Sequence, residues 1–80
     1  EGPWLIGRDP NAALCLDYDP YISHRHAEIR RGSKGFEIVD ALSSNGTWVD
    51  WQPAPRGGAL AVGNGSLLRL GRSLVLLRIP

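Results

Sequence analysis

The chain has 80 residues, with 9 basic and 8 acidic side chains and a formal net charge of +1. That length fits one small domain with a limited core, and the charge balance excludes a strongly polyanion-seeking surface as the default. Apolar residues make up 42%, ordinary for a globular protein, which argues against wholesale disorder.

Trp4-Leu5-Ile6 reads as a first strand that ends at Gly7-Arg8. Asp9-Pro10-Asn11 marks a turn. Cys15 follows in Ala12-Ala13-Leu14-Cys15-Leu16, an apolar setting that predicts a small buried residue. As the lone cysteine it excludes an internal disulfide and a thiolate metal cluster within the chain, and it favours a reducing, cytoplasmic or otherwise intracellular setting. Asp19-Pro20 marks the next turn. His26-Ala27-Glu28-Ile29-Arg30 alternates with period two, placing Ala27 and Ile29 on one face. Phe36-Glu37-Ile38 does the same with Phe36 and Ile38, and the Gly-rich segment Arg31–Gly35 between the two runs predicts a hairpin. Trp51 through Gly58, with Pro53-Ala54-Pro55, is the expected long loop. Ser66–Leu70 and Ser73–Ile79 flank Gly71-Arg72 as a second hairpin. Its last strand is apolar on both faces for part of its length, which predicts a central position.

No stretch of ten residues carries a clean helical period. Short strands with closely spaced turns predict an all-β antiparallel sandwich in a single domain over residues 1–80. No run is long enough to span a membrane and no signal peptide is visible, so no membrane insertion is expected. The chain lacks a starting Met and opens almost directly on a strand. That reads as a fragment of a longer protein.

Three polar clusters stand at predicted strand ends: Gly7-Arg8, Ser23-His24-Arg25-His26, and Ser43-Ser44-Asn45-Gly46-Thr47. If these ends meet, they form one site with a guanidinium, hydroxyls, an imidazole and an amide, a set suited to an oxyanion such as phosphate. Arg is the better residue for bidentate phosphate contacts, and eight of the nine basic residues are Arg. Each cluster also has a plainer reading. Arg8 alone fits a solvated surface residue, and Asn45-Gly46 alone fits a hairpin turn. Ser23 and His26 have the types of a nucleophile and base, but no third orienting group or Gly-x-Ser-x-Gly elbow accompanies them. His24, His26 and Asp40 lack a clear further metal ligand. No enzyme, metal or cofactor is therefore expected. Arg25, Arg30 and Arg31 offer a nucleic-acid reading that the small net charge opposes, so no nucleic acid is expected as partner.

Taken together, Gly7-Arg8, Ser23-x-x-His26 and Ser44-Asn45-Gly46-Thr47 resemble the forkhead-associated (FHA) domain, a family of phosphorylated-motif readers. The resemblance runs from Trp4 to Ile79. It implies an eleven-strand β-sandwich whose loops at one end bind phosphothreonine peptides, with further N-terminal strands missing or short here. Carried over by motif, it implies that Arg8 and Ser23 hold the phosphate with His24 nearby. Ser44 supports the phosphothreonine, and Asn45 bonds the peptide backbone. Gly7, His26 and Gly46 are architectural. Two residues depart from the family pattern. His24 stands where Arg, Lys or Asn is common. Asp50-Trp51 stands where Asn-Gly is common, which bears on peptide preference. The function expected is phosphothreonine-dependent binding in Ser/Thr kinase signalling. The alternative is a phosphate-independent scaffold that docks partners through an exposed Trp48 or Trp51.

Overall fold

The computed structural model describes residues 2–79. Its strands are β1 (Trp4–Gly7), β2 (Leu14–Cys15), β3 (Ala27–Gly32), β4 (Gly35–Asp40), β5 (Thr47–Val49), β6 (Gln52–Pro53), β7 (Ala59–Val62), β8 (Leu67–Leu70) and β9 (Ser73–Leu76). They form a five-stranded sheet in the order β2-β1-β3-β4-β7 and a four-stranded sheet in the order β6-β5-β8-β9. All pairs are antiparallel except β1–β2. The all-β sandwich is as the sequence predicts, with nine strands among the described residues rather than eleven.

Alternation explains the core. Ile6, Ala27, Ile38 and Val62 of one sheet meet Val49, Leu68 and Leu70 of the other, and Leu16 and Ile22 join them from the connections. The intervening strand residues face outward. Ile29 and Phe36 pack at the margin, on the predicted inner face.

Register places the polar clusters. Ile6 pairs with Ala27, and Ala27 pairs with Asp40. Val39 pairs with Ala59. In the other sheet Thr47 pairs with Leu70, and Leu70 with Ser73. The end of β1, the start of β3, the end of β4, the start of β5 and the β8–β9 turn therefore share one rim of the sandwich.

Five readings are corrected. Cys15 is exposed, not buried, because two-residue β2 is an edge strand and Leu16, not Cys15, turns into the core. The last strand lies at an edge and ends at Leu76. Its apolar outer face stays open, with Leu74 55% and Leu76 53% exposed. The segment from Trp51 to Gly58 is not all loop, since Gln52–Pro53 pairs with Trp48 and Val49. Asp50 and Trp51 make the connecting turn, both at positive φ (49° and 69°), the backbone of a type I′ hairpin. That turn lies beyond Val49, at the opposite end of β5 from Asn45, so the expected bearing of Asp50-Trp51 on peptide preference loses its geometric basis. Asn45-Gly46, finally, is no plain hairpin turn, because it joins β4 of one sheet to β5 of the other.

Two buried aspartates fasten the rim. Asp40 accepts from the Ser43 and Thr47 hydroxyls and from the Ser43 and Gly57 amides. Asp19 accepts from the Ser73 hydroxyl and from the Tyr21 and Arg72 amides. Burial pushes the Asp40 carboxyl up, but the Ser43 and Thr47 hydroxyls with the two amides outweigh it and hold it below its ordinary value. The Ser73 hydroxyl is foremost in holding Asp19 low. Lowered folded values add stability that is complete above the unfolded value and disappears as pH falls through the folded one. Urea midpoints are expected to hold above about pH 5 and to fall once pH drops below about 4. Asp40→Asn and Asp19→Asn should each start from a lower midpoint and show a shallower acid decline.

Candidate functional site

The site starts where β1 ends. Gly7 is buried, and a Cβ on it would collide with the His24 carbonyl oxygen. Its missing side chain lets the segment after β1 lie against the segment before β3. Arg8 N then donates to Ser23 O (3.2 Å) and Asp9 N to His24 O (3.0 Å). The Arg8 side chain is fixed at its neck, with Nε donating to Ile22 O at 2.8 Å. That bond leaves the two terminal nitrogens of the guanidinium to meet an anion.

His26 fastens the second and third clusters. It is fully buried. Nδ1 accepts from Ser23 N (3.0 Å), and Nε2 lies 2.8 Å from Gly46 O. An amide can only donate and a carbonyl can only accept, so the ring is the neutral tautomer with its proton on Nε2. Ser23 Oγ in turn accepts from Ser44 N at 3.0 Å, so its own proton remains to be donated outward. The Ser43 hydroxyl accepts from Gly46 N and donates to Asp40. Asn45 Nδ2 donates to Tyr21 O at 2.8 Å, which fixes the amide plane and leaves its carbonyl oxygen and second N–H.

A shallow cleft of about 240 Å³ results, lined by Arg8, Ser23, His24, Ser44 and Asn45 together with Pro20, Tyr21 and Ile22. The five expected binding residues are thus brought together, while Gly7, His26 and Gly46 lie behind them. His24 is exposed, with Nε2 3.5 Å from Asp9 Oδ2. Larger than this cleft is an apolar one at Trp4, Ile29, Phe36 and Leu77, which shares no residue with it. The cleft with the convergent donors, not the bigger hollow, has the chemistry for an oxyanion.

Other readings meet specific obstacles. The His26 ring engages the Ser23 backbone, not its hydroxyl, so the pair is not arranged as base and nucleophile. Both ring nitrogens are occupied, which removes His26 from any ligand set with His24 and Asp40. Arg25 faces Glu28, Arg30 pairs with Glu37 at 2.8 Å, and Arg31 lies over the Phe36 ring, so these cations are largely answered within the protein. Sequence reasoning missed Asp19, Tyr21 and Arg56. Arg56 Nη1 donates to Ser43 O at 2.9 Å and buttresses the third cluster. Only distant pairing reveals these roles, and no local pattern marks them.

A β-sandwich with convergent donors on loops at one end is the architecture of a phosphopeptide-recognition domain. The FHA domain model matches residues 4–71, and the chain belongs to that family, whose members bind phosphothreonine peptides. The oxoglutarate dehydrogenase inhibitor of Corynebacterium jeikeium is 38% identical over 66 residues, covering 82% of this chain and 43% of that protein. The glycogen accumulation regulator GarA of Mycobacterium tuberculosis is 37% identical over 75 residues, covering 92% and 44%. The chain thus spans less than half the length of these relatives. A solved structure described as an analysis of phosphothreonine-dependent FHA domain interactions superposes with a TM-score of 0.86 at 34% identity. It covers all of this chain and 79% of that one.

The His26 arrangement generates a stability prediction. His26→Ala leaves the Ser23 amide and Gly46 carbonyl without partners and opens a cavity, at an expected cost of about 2–4 kcal/mol. Urea denaturation measures it. Nitrogen-15 NMR of the wild-type ring should show the proton on Nε2.

Proposed function

We propose that this domain reads phosphothreonine in partner proteins of Ser/Thr kinase signalling through Arg8, Ser23, His24, Ser44 and Asn45. The observation that carries the reading is the fixed Arg8 neck. Its Nε bond to Ile22 O orients the guanidinium fork beside the Ser23 hydroxyl before any ligand arrives, and a preorganised fork loses little freedom on binding. Arg8 and Ser23 hold the phosphate, His24 reaches it from the rim, Ser44 supports it, and Asn45 bonds the peptide backbone. The role is binding and not turnover: the His26 ring beside Ser23 is committed to the Ser23 amide and the Gly46 carbonyl and takes no proton from the Ser23 hydroxyl.

Phosphothreonine brings roughly −1.5 to −2 charges near neutral pH. Three or four hydrogen bonds to charged groups supply a gross ~5–12 kcal/mol, against association costs of ~4 kcal/mol or more. Affinity of about micromolar strength follows, suited to a reversible signalling contact. Unphosphorylated threonine brings no charge and binds far more weakly.

Calorimetry with a phosphothreonine peptide library and its unphosphorylated counterpart tests this. Arg8→Ala is expected to weaken phosphopeptide binding by about a hundredfold, equivalent to ~2.7 kcal/mol, while thermal melting barely moves. Equal affinity for phosphorylated and unphosphorylated peptides would favour the scaffold reading, in which the exposed Trp51 carries the interface. His24 makes a separate prediction: His24→Ala is expected to weaken phosphopeptide binding about threefold or more, and an unchanged affinity would remove His24 from the phosphate.

A further inference from the structure

The loop that carries Ser44 and Asn45 bends sharply before it reaches the cleft. Leu42 stands at φ +58°, a left-handed conformation that a bulky side chain disfavours. It is 64% exposed, so burial of its own side chain does little to hold it there. A backbone conformation of that kind persists only where the surroundings fix it. Ser43, the next residue, is buried, and its hydroxyl is already committed to Asp40 and Gly46.

A second segment supplies the fastening. Pro55 to Gly58 forms a tight turn, closed by Gly58 N donating to Pro55 O at 2.7 Å. Gly57 stands at φ +71°, as the third position of a type II turn requires, and that puts Arg56 at the second. The segment is anchored on both sides of the loop. Asp40 N donates to Gly58 O (3.0 Å) where β4 ends, and Ala54 N donates to Thr47 O (2.8 Å) where β5 begins. From the corner of the turn, Arg56 Nη1 donates to Ser43 O at 2.9 Å. No other donor meets that carbonyl among the described residues. Arg56 makes no carboxylate ion pair among the described residues, and it does not line the phosphate cleft.

We infer that Arg56 is a positioning residue for the phosphothreonine site: its bond to the Ser43 carbonyl holds the strained loop against the cleft. The inference rests on the phosphothreonine reading and adds to it a residue that acts through Ser43 and not on the ligand. Two bonds reach from this loop to the segment before β3, Ser44 N to Ser23 Oγ at 3.0 Å and Asn45 Nδ2 to Tyr21 O at 2.8 Å. Both depend on where the loop lies. Without Arg56 the Ser43 carbonyl has no partner in the protein, and a polar group in a buried residue then draws its segment toward water. The Ser23 hydroxyl and the Asn45 amide lose the bonds that orient them, and the preorganisation of the cleft goes with those bonds.

The test compares wild type with Arg56→Met, which keeps the length of the side chain and removes its donor and charge. Fluorescence anisotropy measures the tightest phosphothreonine peptide of the library and its unphosphorylated form. Arg56→Met is expected to weaken phosphopeptide binding about fivefold, the scale of one lost hydrogen bond. That ratio should persist from about 0.05 to about 0.5 M salt, because a lost position is not screened as a lost charge is. Hydrogen exchange followed by NMR without ligand supplies the second readout. The Ser44 amide should exchange about fivefold faster in Arg56→Met, beyond any change at the Ala27 and Leu68 amides of the core, since the loop opens locally. Unchanged phosphopeptide affinity in Arg56→Met overturns the Arg56 assignment alone. So does a loss of affinity that vanishes at high salt, which is a charge effect. So does faster exchange shared equally by Ser44, Ala27 and Leu68, which is a general loss of stability. A wild type indifferent to phosphorylation overturns the phosphothreonine reading and this one with it.

Discussion

Everything at the working end of this domain hangs on one imidazole. His26 donates its backbone amide to Ile6 O and accepts at its carbonyl from Ala41 N, both at 2.9 Å, which ties it to β1 and to the exit of β4. Its ring then holds the Ser23 amide on one side and the Gly46 carbonyl on the other. Four bonds from one buried residue therefore join three segments that have no sequence proximity. A neutral ring with one donor and one acceptor satisfies a buried amide and a buried carbonyl at its opposite edges. Phenylalanine fills the volume and leaves both groups unsatisfied.

The division of labour around His26 has a physical logic. The residues that line the cleft with their polar groups, Arg8, Ser23, His24, Ser44 and Asn45, are exposed or half-buried. The residues that set their positions, His26, Asp40, Ser43, Thr47 and Asp19, are buried and hydrogen-bonded. Among the described residues no buried side-chain nitrogen or oxygen lacks a partner. A fully satisfied network is stiff, since any displacement breaks a bond that water cannot replace. The cleft-lining groups thus sit on loops yet are held as though they were on strands, a preorganisation that lowers the entropy cost of binding in general.

The sequence was legible where a local pattern has one physical cause. Period-two alternation placed β3 and β4 and their inward residues, and the order of the three polar clusters brought the family within reach. Pattern misled where a residue's surroundings come from elsewhere in the chain. Leu74 and Leu76 look like core residues and face solvent because alternation turns both to the outer face of β9, which nothing among the described residues covers. Cys15 looks buried and is exposed because β2 is only a two-residue parallel bridge. Ala59–Val62 has no polar alternation to announce a strand, and it becomes one by pairing with β4. In the sequence Asp19 presents only as part of a turn. Its link to Arg72 and Ser73 crosses more than fifty positions, and nothing local encodes it.

The His26 fastening also makes the folded state and the ligand partners in one equilibrium. Ser23 and Ser44 are 21 positions apart and meet only after β1, β3 and β4 have paired. An unfolded chain therefore has no such cleft to offer. A ligand that binds only the native form raises its stability by RT ln(1 + [L]/Kd), about 2.7 kcal/mol at a hundredfold excess over Kd. For a domain of this size that is a large share of the whole. On the proposed phosphothreonine reading, a kinase that phosphorylates the partner would then change more than who is bound to whom. It would lengthen the lifetime of the reader itself against proteolysis, and removal of the phosphate would shorten it.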